Sequence, residues 1–142
     1  MQPIPYLFFK STCAEAMRTY AGIFGGTPEI MTFDQMPDGG RSGMPDMPGD
    51  AVMHAALKMG DGWLYASDDP SCKSSAMSGC SVAVSFPTVD EARRVYDALA
   101  ERGEVRMAFE PTFWSPGFGM LNDRFGISWM VMTDAPNEGA AA

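Results

Sequence analysis

Apolar residues follow two different spacings along the chain. In two segments, Thr12 to Phe24 and Thr88 to Arg102, they recur every three or four positions, as on one face of an α-helix. In eight shorter runs they cluster or alternate with polar residues, and β-branched and aromatic side chains are frequent, which is typical of β-strands. The order of these elements predicts one strand, one helix and three strands, and then the same series again.

The two halves also match in sequence. Five residues of the first half recur 76 positions later in the second half, beginning with Thr12, which recurs as Thr88. They are Thr12, Glu15, Ala16, Arg18 and Tyr20. Both helical segments open with Thr-x-x-Glu, which predicts a capping box at each helix start. The last strands match at an offset of 66, with Gly60 to Asp68 aligned on Gly126 to Asp134. The chain is therefore predicted to be a tandem repeat of one β-α-β-β-β module.

This repeat predicts an α+β fold in a single domain. Module 1 is expected at about residues 3–69 and module 2 at about residues 80–134, joined by a linker at 70–79 and followed by a tail at 135–142. Each sheet would have its helix on one face, and the other faces are expected to enclose a cleft. The glycine- and proline-rich loop at 34–50 is either a functional lid or dimer contact, or a mobile insertion.

Composition excludes several classes of function. The 142-residue chain has a formal charge of −8 and a pI near 4.4, which opposes binding to nucleic acid or to an anionic membrane surface. No apolar run approaches the roughly 18 residues of a membrane span, and we expect a cytoplasmic protein. Cys13, Cys72 and Cys80 form no CxxC pair, so reduced thiols are expected rather than disulfides or structural zinc.

His54 is the only histidine, which excludes HExxH zinc hydrolysis and multi-histidine metal cages. It lies in a predicted strand, where alternation puts Val52, His54 and Ala56 on one face. Two interpretations stay open: a histidine satisfied by one hydrogen bond, or a cavity residue that orients or protonates a ligand.

Three stretches resemble the PhnB-like family of the vicinal oxygen chelate superfamily. They are "PYLFF" with "CAEAMRTY", then "VMHAALKMGDGWLYASD", then "TFWSPGFGMLNDRFGISWMV". The resemblance implies the glyoxalase/bleomycin resistance fold and a homodimer. Proteins resembling this family are often described as demethylubiquinone methyltransferases. We do not expect that activity, because methyl donors normally sit on a glycine-rich strand-to-helix turn.

The superfamily resemblance also implies a divalent metal bound by residues of the first and last strand of each module. Those positions fall at or next to Pro5, Leu64, Ser81 and Met130, and none of these four is His, Glu or Asp. Because such a metal needs imidazole or carboxylate donors, neither a metal nor another cofactor is expected.

Three functions remain open at this point. The first is the binding of a small, partly aromatic or amphipathic molecule in a metal-free cavity between the modules. The second is a lyase, isomerase or dioxygenase with a displaced metal at His54 and either Asp68 or Glu110. The third is a dimeric scaffold without chemistry. The candidate cavity residues are Tyr6, His54, Ser67, Phe113, Trp114 and Trp129, although the aromatic residues after Thr112 are equally explained by core and dimer packing.

Overall fold

The computed structural model describes residues 1–36, 47–69 and 77–134. The chain divides into two compact units, Met1–Ser75 and Ala76–Ala142. Each unit contains one α-helix and one four-stranded sheet, so the prediction of a tandem α+β repeat is confirmed. Most of the predicted loop, most of the linker and the tail lie outside the described residues.

Module 1 consists of β1 (Tyr6–Phe9), α1 (Cys13–Phe24), β2 (Glu29–Thr32), β3 (Val52–Met59) and β4 (Gly62–Asp68). A short 3-10 helix, Phe33–Gln35, follows β2. The strand order is β1-β4-β3-β2, with β1 parallel to β4 and the other pairs antiparallel.

Module 2 repeats this arrangement with β5 (Val82–Phe86), α2 (Val89–Ala100), β6 (Glu104–Glu110), β7 (Phe118–Asn122) and β8 (Ser128–Thr133). The order is β5-β8-β7-β6, again with one parallel pair at the β5 edge. Both helices lie within the predicted segments 12–24 and 88–102, and the order of the ten elements is the predicted one.

One face of the module 1 sheet packs against α1. Its buried side chains are Leu7 and Phe9 of β1, Ala55 and Leu57 of β3, and Leu64 and Ala66 of β4. The side of α1 that is buried consists of Cys13, Ala16, Met17, Tyr20 and Ala21. Because side chains alternate along a strand, the residues between these point to the face opposite α1.

Asp68, and not Thr12, holds the start of α1. The Thr12 side chain makes no capping hydrogen bond, so the capping box predicted there is wrong. The buried Asp68 carboxylate instead accepts from the Cys13 N–H at 3.0 Å and from the Val52 N–H at 2.9 Å. A single side chain at the end of β4 therefore ties the helix start to β3 and compensates for backbone donors that would otherwise lack partners.

The Cys13 thiol lies beside this carboxylate and is completely buried. Burial, together with the charge of Asp68, raises the pKa of Cys13 to about 12. The thiol is therefore uncharged at neutral pH and acts as a small apolar core residue rather than as a nucleophile.

Two glycines of module 2 allow aromatic rings to pack against the sheet. A Cβ on Gly119 would lie 2.5 Å from the Tyr96 ring, and one on Gly117 would lie 2.4 Å from the Phe109 ring. The Tyr96 hydroxyl donates to the Met107 carbonyl at 2.9 Å. The glycines of the stretch 112–132 are thus needed for close packing beneath α2.

In their last strands, the two modules superimpose one residue differently from the alignment of their sequences. The Phe9 carbonyl accepts a hydrogen bond from the Asp69 N–H, and the Phe86 carbonyl accepts one from the Asp134 N–H. Equivalent residues of the last strands are therefore 65 positions apart in the structure, not 66. A one-residue shift moves a side chain to the opposite face of a sheet. Accordingly, Trp63 is 37% exposed, whereas Trp129 is fully buried.

Asp123 holds Trp129 in the core of module 2. Its Oδ2 accepts from the Trp129 indole N–H at 2.8 Å, and its Oδ1 accepts from the backbone N–H groups of Phe125 and Ile127. Asp123 is itself buried, so its carboxylate organises the turn between β7 and β8. The Trp129 ring belongs to this core, so the prediction that Trp129 lines a cavity is wrong.

The Thr88 hydroxyl accepts from the Glu91 N–H at 3.2 Å, which confirms the predicted threonine cap of α2. Thr88→Ala should therefore lower the free energy of unfolding by about 0.5–2 kcal/mol. Thr12→Ala, the matched substitution at an uncapped helix start, should change it by less than about 0.5 kcal/mol. Urea denaturation of both variants measures the difference, and equal losses would contradict the asymmetry of the caps.

The shifted register makes a second prediction. Trp129→Phe should cost about 1–3 kcal/mol, because it leaves an oxygen of the buried Asp123 without its donor. Trp63→Phe should stay within about 0.5 kcal/mol of the parent, since that ring lies at the surface. Urea unfolding followed by far-UV circular dichroism compares the two variants; similar stabilities would show that the two rings occupy equivalent positions.

Candidate functional site

The open face of the module 1 sheet carries a cluster of aromatic rings, which we name the aromatic face. It is formed by alternate residues of three strands: Tyr6 and Phe8 of β1, His54 of β3, and Trp63 and Tyr65 of β4. Tyr6 and Tyr65 are register partners on the neighbouring strands β1 and β4. The rings of Tyr6, Phe8 and Trp63 are 40%, 54% and 37% exposed. A soluble sheet rarely leaves such a cluster uncovered unless it binds something.

The rings contact one another in a continuous chain. The Tyr6 ring centroid is 5.1 Å from that of Phe8, and the His54 centroid is 5.0 Å from that of Tyr65 in an edge-to-face arrangement. Trp63 adjoins Tyr65 at 6.2 Å. These spacings are those of mutually stabilising aromatic pairs, so the cluster forms a pre-organised apolar surface.

Tyr6 and His54 are joined by a hydrogen bond. The Tyr6 hydroxyl and His54 Nδ1 are 3.1 Å apart, and the imidazole is half-buried. This contact fixes the orientation of the imidazole ring on the aromatic face, as second partners of histidine commonly do. His54 therefore has the one hydrogen bond of the first interpretation and lies on the aromatic face, and its role towards a ligand stays a prediction.

Ser67 belongs to this side of the sheet and Asp68 to the other. Ser67 pairs with Phe8 in the register of β1 and β4, and it follows Trp63 and Tyr65 in the alternation of β4. Asp68 points into the helix side, where it contacts the Cys13 and Val52 amides. The sheet thus separates His54 from Asp68, and these two residues do not form the displaced metal site considered from the sequence.

The donor set for a metal does not assemble in the part of the chain that the structure describes. No three His, Cys, Asp or Glu side chains gather there in a metal-binding group. The positions next to the expected ligands on the aromatic face are Tyr6 and Tyr65, and neither supplies the imidazole or carboxylate that a divalent ion prefers. The superfamily's metal centre does not fit these residues.

Phe113 and Trp114 lie in the loop between β6 and β7 and are exposed rather than packed in the core. Phe113 is 81% exposed and Trp114 is 50% exposed. Their rings contact each other edge to face at 4.8 Å, and Trp114 contacts Phe118 at 5.5 Å. The core-packing interpretation is therefore wrong for these two residues. They belong to module 2, whereas the aromatic face belongs to module 1.

Three members of the aromatic face are not among the site residues predicted from the sequence: Phe8, Trp63 and Tyr65. The signal was present, because Trp63, Tyr65 and Ser67 alternate with smaller or core residues along one strand. The alignment of Trp63 with Trp129 hid it, because the structure places these two rings on opposite faces of their sheets.

Comparison with known proteins identifies the family. The protein-family model described as 3-demethylubiquinone-9 3-methyltransferase matches residues 2–132 of this chain. The curated protein YjdN from Escherichia coli strain K12 is 31% identical over 137 residues, covering 89% of this chain and 91% of YjdN.

Two solved structures share the fold. The protein PA1353 from Pseudomonas aeruginosa is 40% identical with a TM-score of 0.83, covering 94% of this chain and 97% of PA1353. A Bacillus cereus PhnB protein described as a putative 3-demethylubiquinone-9 3-methyltransferase is 24% identical with a TM-score of 0.74, covering 94% and 99%. The chain belongs to the family that the matching model describes, and it shares its fold with the Bacillus cereus PhnB protein.

Proposed function

We propose that the protein binds a small, flat, partly aromatic molecule on the aromatic face of module 1. The observation that carries this proposal is the exposed, mutually contacting set of rings with one oriented imidazole among them. Flat ring systems gain most from such a surface, because stacking adds to the burial of apolar area. The half-buried His54 supplies a polar group that fixes the orientation of the ligand, as ligand sites usually require.

Methyl transfer, which the family description names, has little support in these residues. The turns that lead from a strand into a helix are residues 10–12 before α1 and residues 87–88 before α2, and neither contains glycine. Each sheet also has a single parallel pair at one edge rather than a doubly wound parallel core. A nucleotide-like methyl donor is normally held at a glycine-rich turn of such a core. Binding without methyl transfer therefore accounts better for the described residues.

The neutral dye N-phenyl-1-naphthylamine tests the aromatic face, since it is flat, aromatic and fluorescent in apolar surroundings. Saturable binding is expected for the parent protein. Tyr65→Ala and His54→Ala should raise the Kd by about tenfold, which corresponds to about 1.4 kcal/mol. Both variants should retain the far-UV circular dichroism of the parent, because the rings stand outside the helix-facing core.

Trp114→Ala is the matched control, because it removes an exposed aromatic ring from module 2. Its Kd for the dye should equal that of the parent. Loss of binding in Trp114→Ala with unchanged binding in Tyr65→Ala and His54→Ala would place the dye on the other aromatic surface and contradict the proposal.

We also propose a homodimer, which is common in the superfamily. Support comes from the exposed Phe113–Trp114 pair, since large exposed rings on a soluble protein usually mark an interaction surface. Analytical ultracentrifugation should give twice the mass of the 15.3 kDa chain. The double variant Phe113→Ser with Trp114→Ser should sediment as a monomer. A monomeric parent protein would refute the dimer, and a dimeric double variant would refute the role of this pair.

The described helices include none that is both long enough and apolar enough to cross a membrane.

A further inference from the structure

Met31 lies at the rim of the aromatic face. It belongs to the edge strand β2, and it is the register partner of His54 on β3. Register partners of an antiparallel pair share a face, with Cβ atoms about 4.5–5.5 Å apart. The neighbouring pair is Ile30 and Ala55, and Ala55 is buried on the side that packs against α1. Met31 and His54 therefore lie together on the opposite face, and the thioether is a neighbour of the oriented imidazole.

The backbone on both sides of Met31 is held by hydrogen bonds. Pairing with β3 holds the strand itself. Immediately after Met31, Thr32 starts the 3-10 helix, and its N–H donates to the Gln35 side-chain oxygen at 2.9 Å. The Met31 side chain is nevertheless 44% exposed. A strand in a defined position thus presents this thioether to solvent.

Exposure makes this thioether a target for oxidation. Among the described methionines that lie within a helix or strand, the exposed ones are Met31 and Met107, the latter at 48%. Hydrogen peroxide transfers one oxygen atom to such a sulfur: the sulfur lone pair forms the S–O bond, the O–O bond breaks, and water leaves. A thiol-dependent reductase reverses the step, because two thiols become a disulfide and the sulfoxide oxygen leaves as water.

The neighbour of Met31 distinguishes it from Met107. Met107 is paired with another methionine, Met120, whereas Met31 is paired with His54. Oxidation replaces a flexible apolar thioether by a polar sulfoxide, whose oxygen accepts hydrogen bonds. Beside an imidazole, this new acceptor has an N–H donor within reach of the same face. Oxidation at Met31 therefore changes the chemistry of the aromatic face, and oxidation at Met107 does not.

We propose that Met31 is a site of reversible oxidation that controls ligand binding on the aromatic face. In the reduced state, the thioether extends the apolar surface and contacts the edge of a flat ligand, as sulfur and aromatic rings commonly do. In the oxidised state, the Tyr6 hydroxyl donates to Nδ1 of His54, and Nε2–H of His54 donates to the sulfoxide oxygen. The face then loses its apolar rim and the polar group that orients the ligand. This inference rests on the proposed function, because it concerns regulation of the same site.

The Kd for N-phenyl-1-naphthylamine, measured before and after oxidation, tests the proposal. Each protein is treated with hydrogen peroxide, which is removed before the dye is added, and tandem mass spectrometry of the tryptic peptide 19–41 measures the sulfoxide at Met31. Oxidation should raise the Kd of the parent protein about tenfold, which is the size expected when a sulfur–ring contact is lost. Methionine sulfoxide reductases with dithiothreitol should restore the original Kd.

Two leucine variants assign the effect to one sulfur. In Met31→Leu, the ratio of the Kd after peroxide to the Kd before it should stay below about twofold. In Met107→Leu, the matched variant at the other exposed methionine, this ratio should equal that of the parent protein. Met31→Gln, which places a polar amide at the same position, should raise the Kd without any peroxide, whereas Met107→Gln should leave it unchanged.

His54 supplies a readout that does not need the dye. Because the chain has a single histidine, the untagged protein gives one set of imidazole signals in a ¹H–¹³C nuclear magnetic resonance spectrum. Oxidation should shift these signals in the parent protein and in Met107→Leu, and it should leave them in place in Met31→Leu. The ¹⁵N shifts of the ring should show the proton on Nε2 in the oxidised protein.

Three results would overturn the inference. The first is a Kd that changes less than about twofold although Met31 is fully oxidised. The second is an equal loss of affinity in Met31→Leu, and the third is a His54 signal that oxidation does not move. A reduced parent protein that binds no dye would instead refute the proposed function, and the His54 signal would still decide whether the sulfoxide contacts the imidazole.

Discussion

The covering of one sheet face by its own helix is the constraint on which the rest of each module depends. Once α1 packs on Leu7, Leu57, Leu64 and their neighbours, alternation sends every intervening residue of β1, β3 and β4 to the opposite side. Tyr6, His54 and Tyr65 share a face for that reason. Small core residues such as Ala55 and Ala66 let the helix approach the sheet closely.

Two buried carboxylates secure this arrangement, and they do so differently in the two modules. Asp68 joins the first amide of α1 to β3, whereas Asp123 closes the turn between β7 and β8 and holds the Trp129 indole. At the position equivalent to Asp68, module 2 has Thr133, and α2 takes its cap from Thr88 instead. The repeat is therefore conserved in the order of its elements but not in the contacts that hold each helix. Neither carboxylate is free for chemistry, which removes two acids from consideration as catalysts.

The sequence predicted the elements of the fold well, because they depend on local periodicity and on the internal repeat. It failed where a contact between distant residues decides the outcome. The motif at Thr12 is the same as at Thr88, but Asp68, which lies 55 residues beyond Cys13, takes over the cap. The alignment of Trp63 with Trp129 matched identical residues but was wrong by one position, and one position is enough to exchange the two faces of a sheet.

The aromatic face of module 1, with its oriented imidazole, is the proposed binding site for a flat ligand. Intermolecular nuclear Overhauser effects between bound N-phenyl-1-naphthylamine and the isotope-labelled protein locate the dye directly. Contacts are expected from the dye to the ring protons of Tyr6, His54 and Tyr65. Contacts confined to Phe113 and Trp114, or to the residues of the helix-facing core, would contradict it.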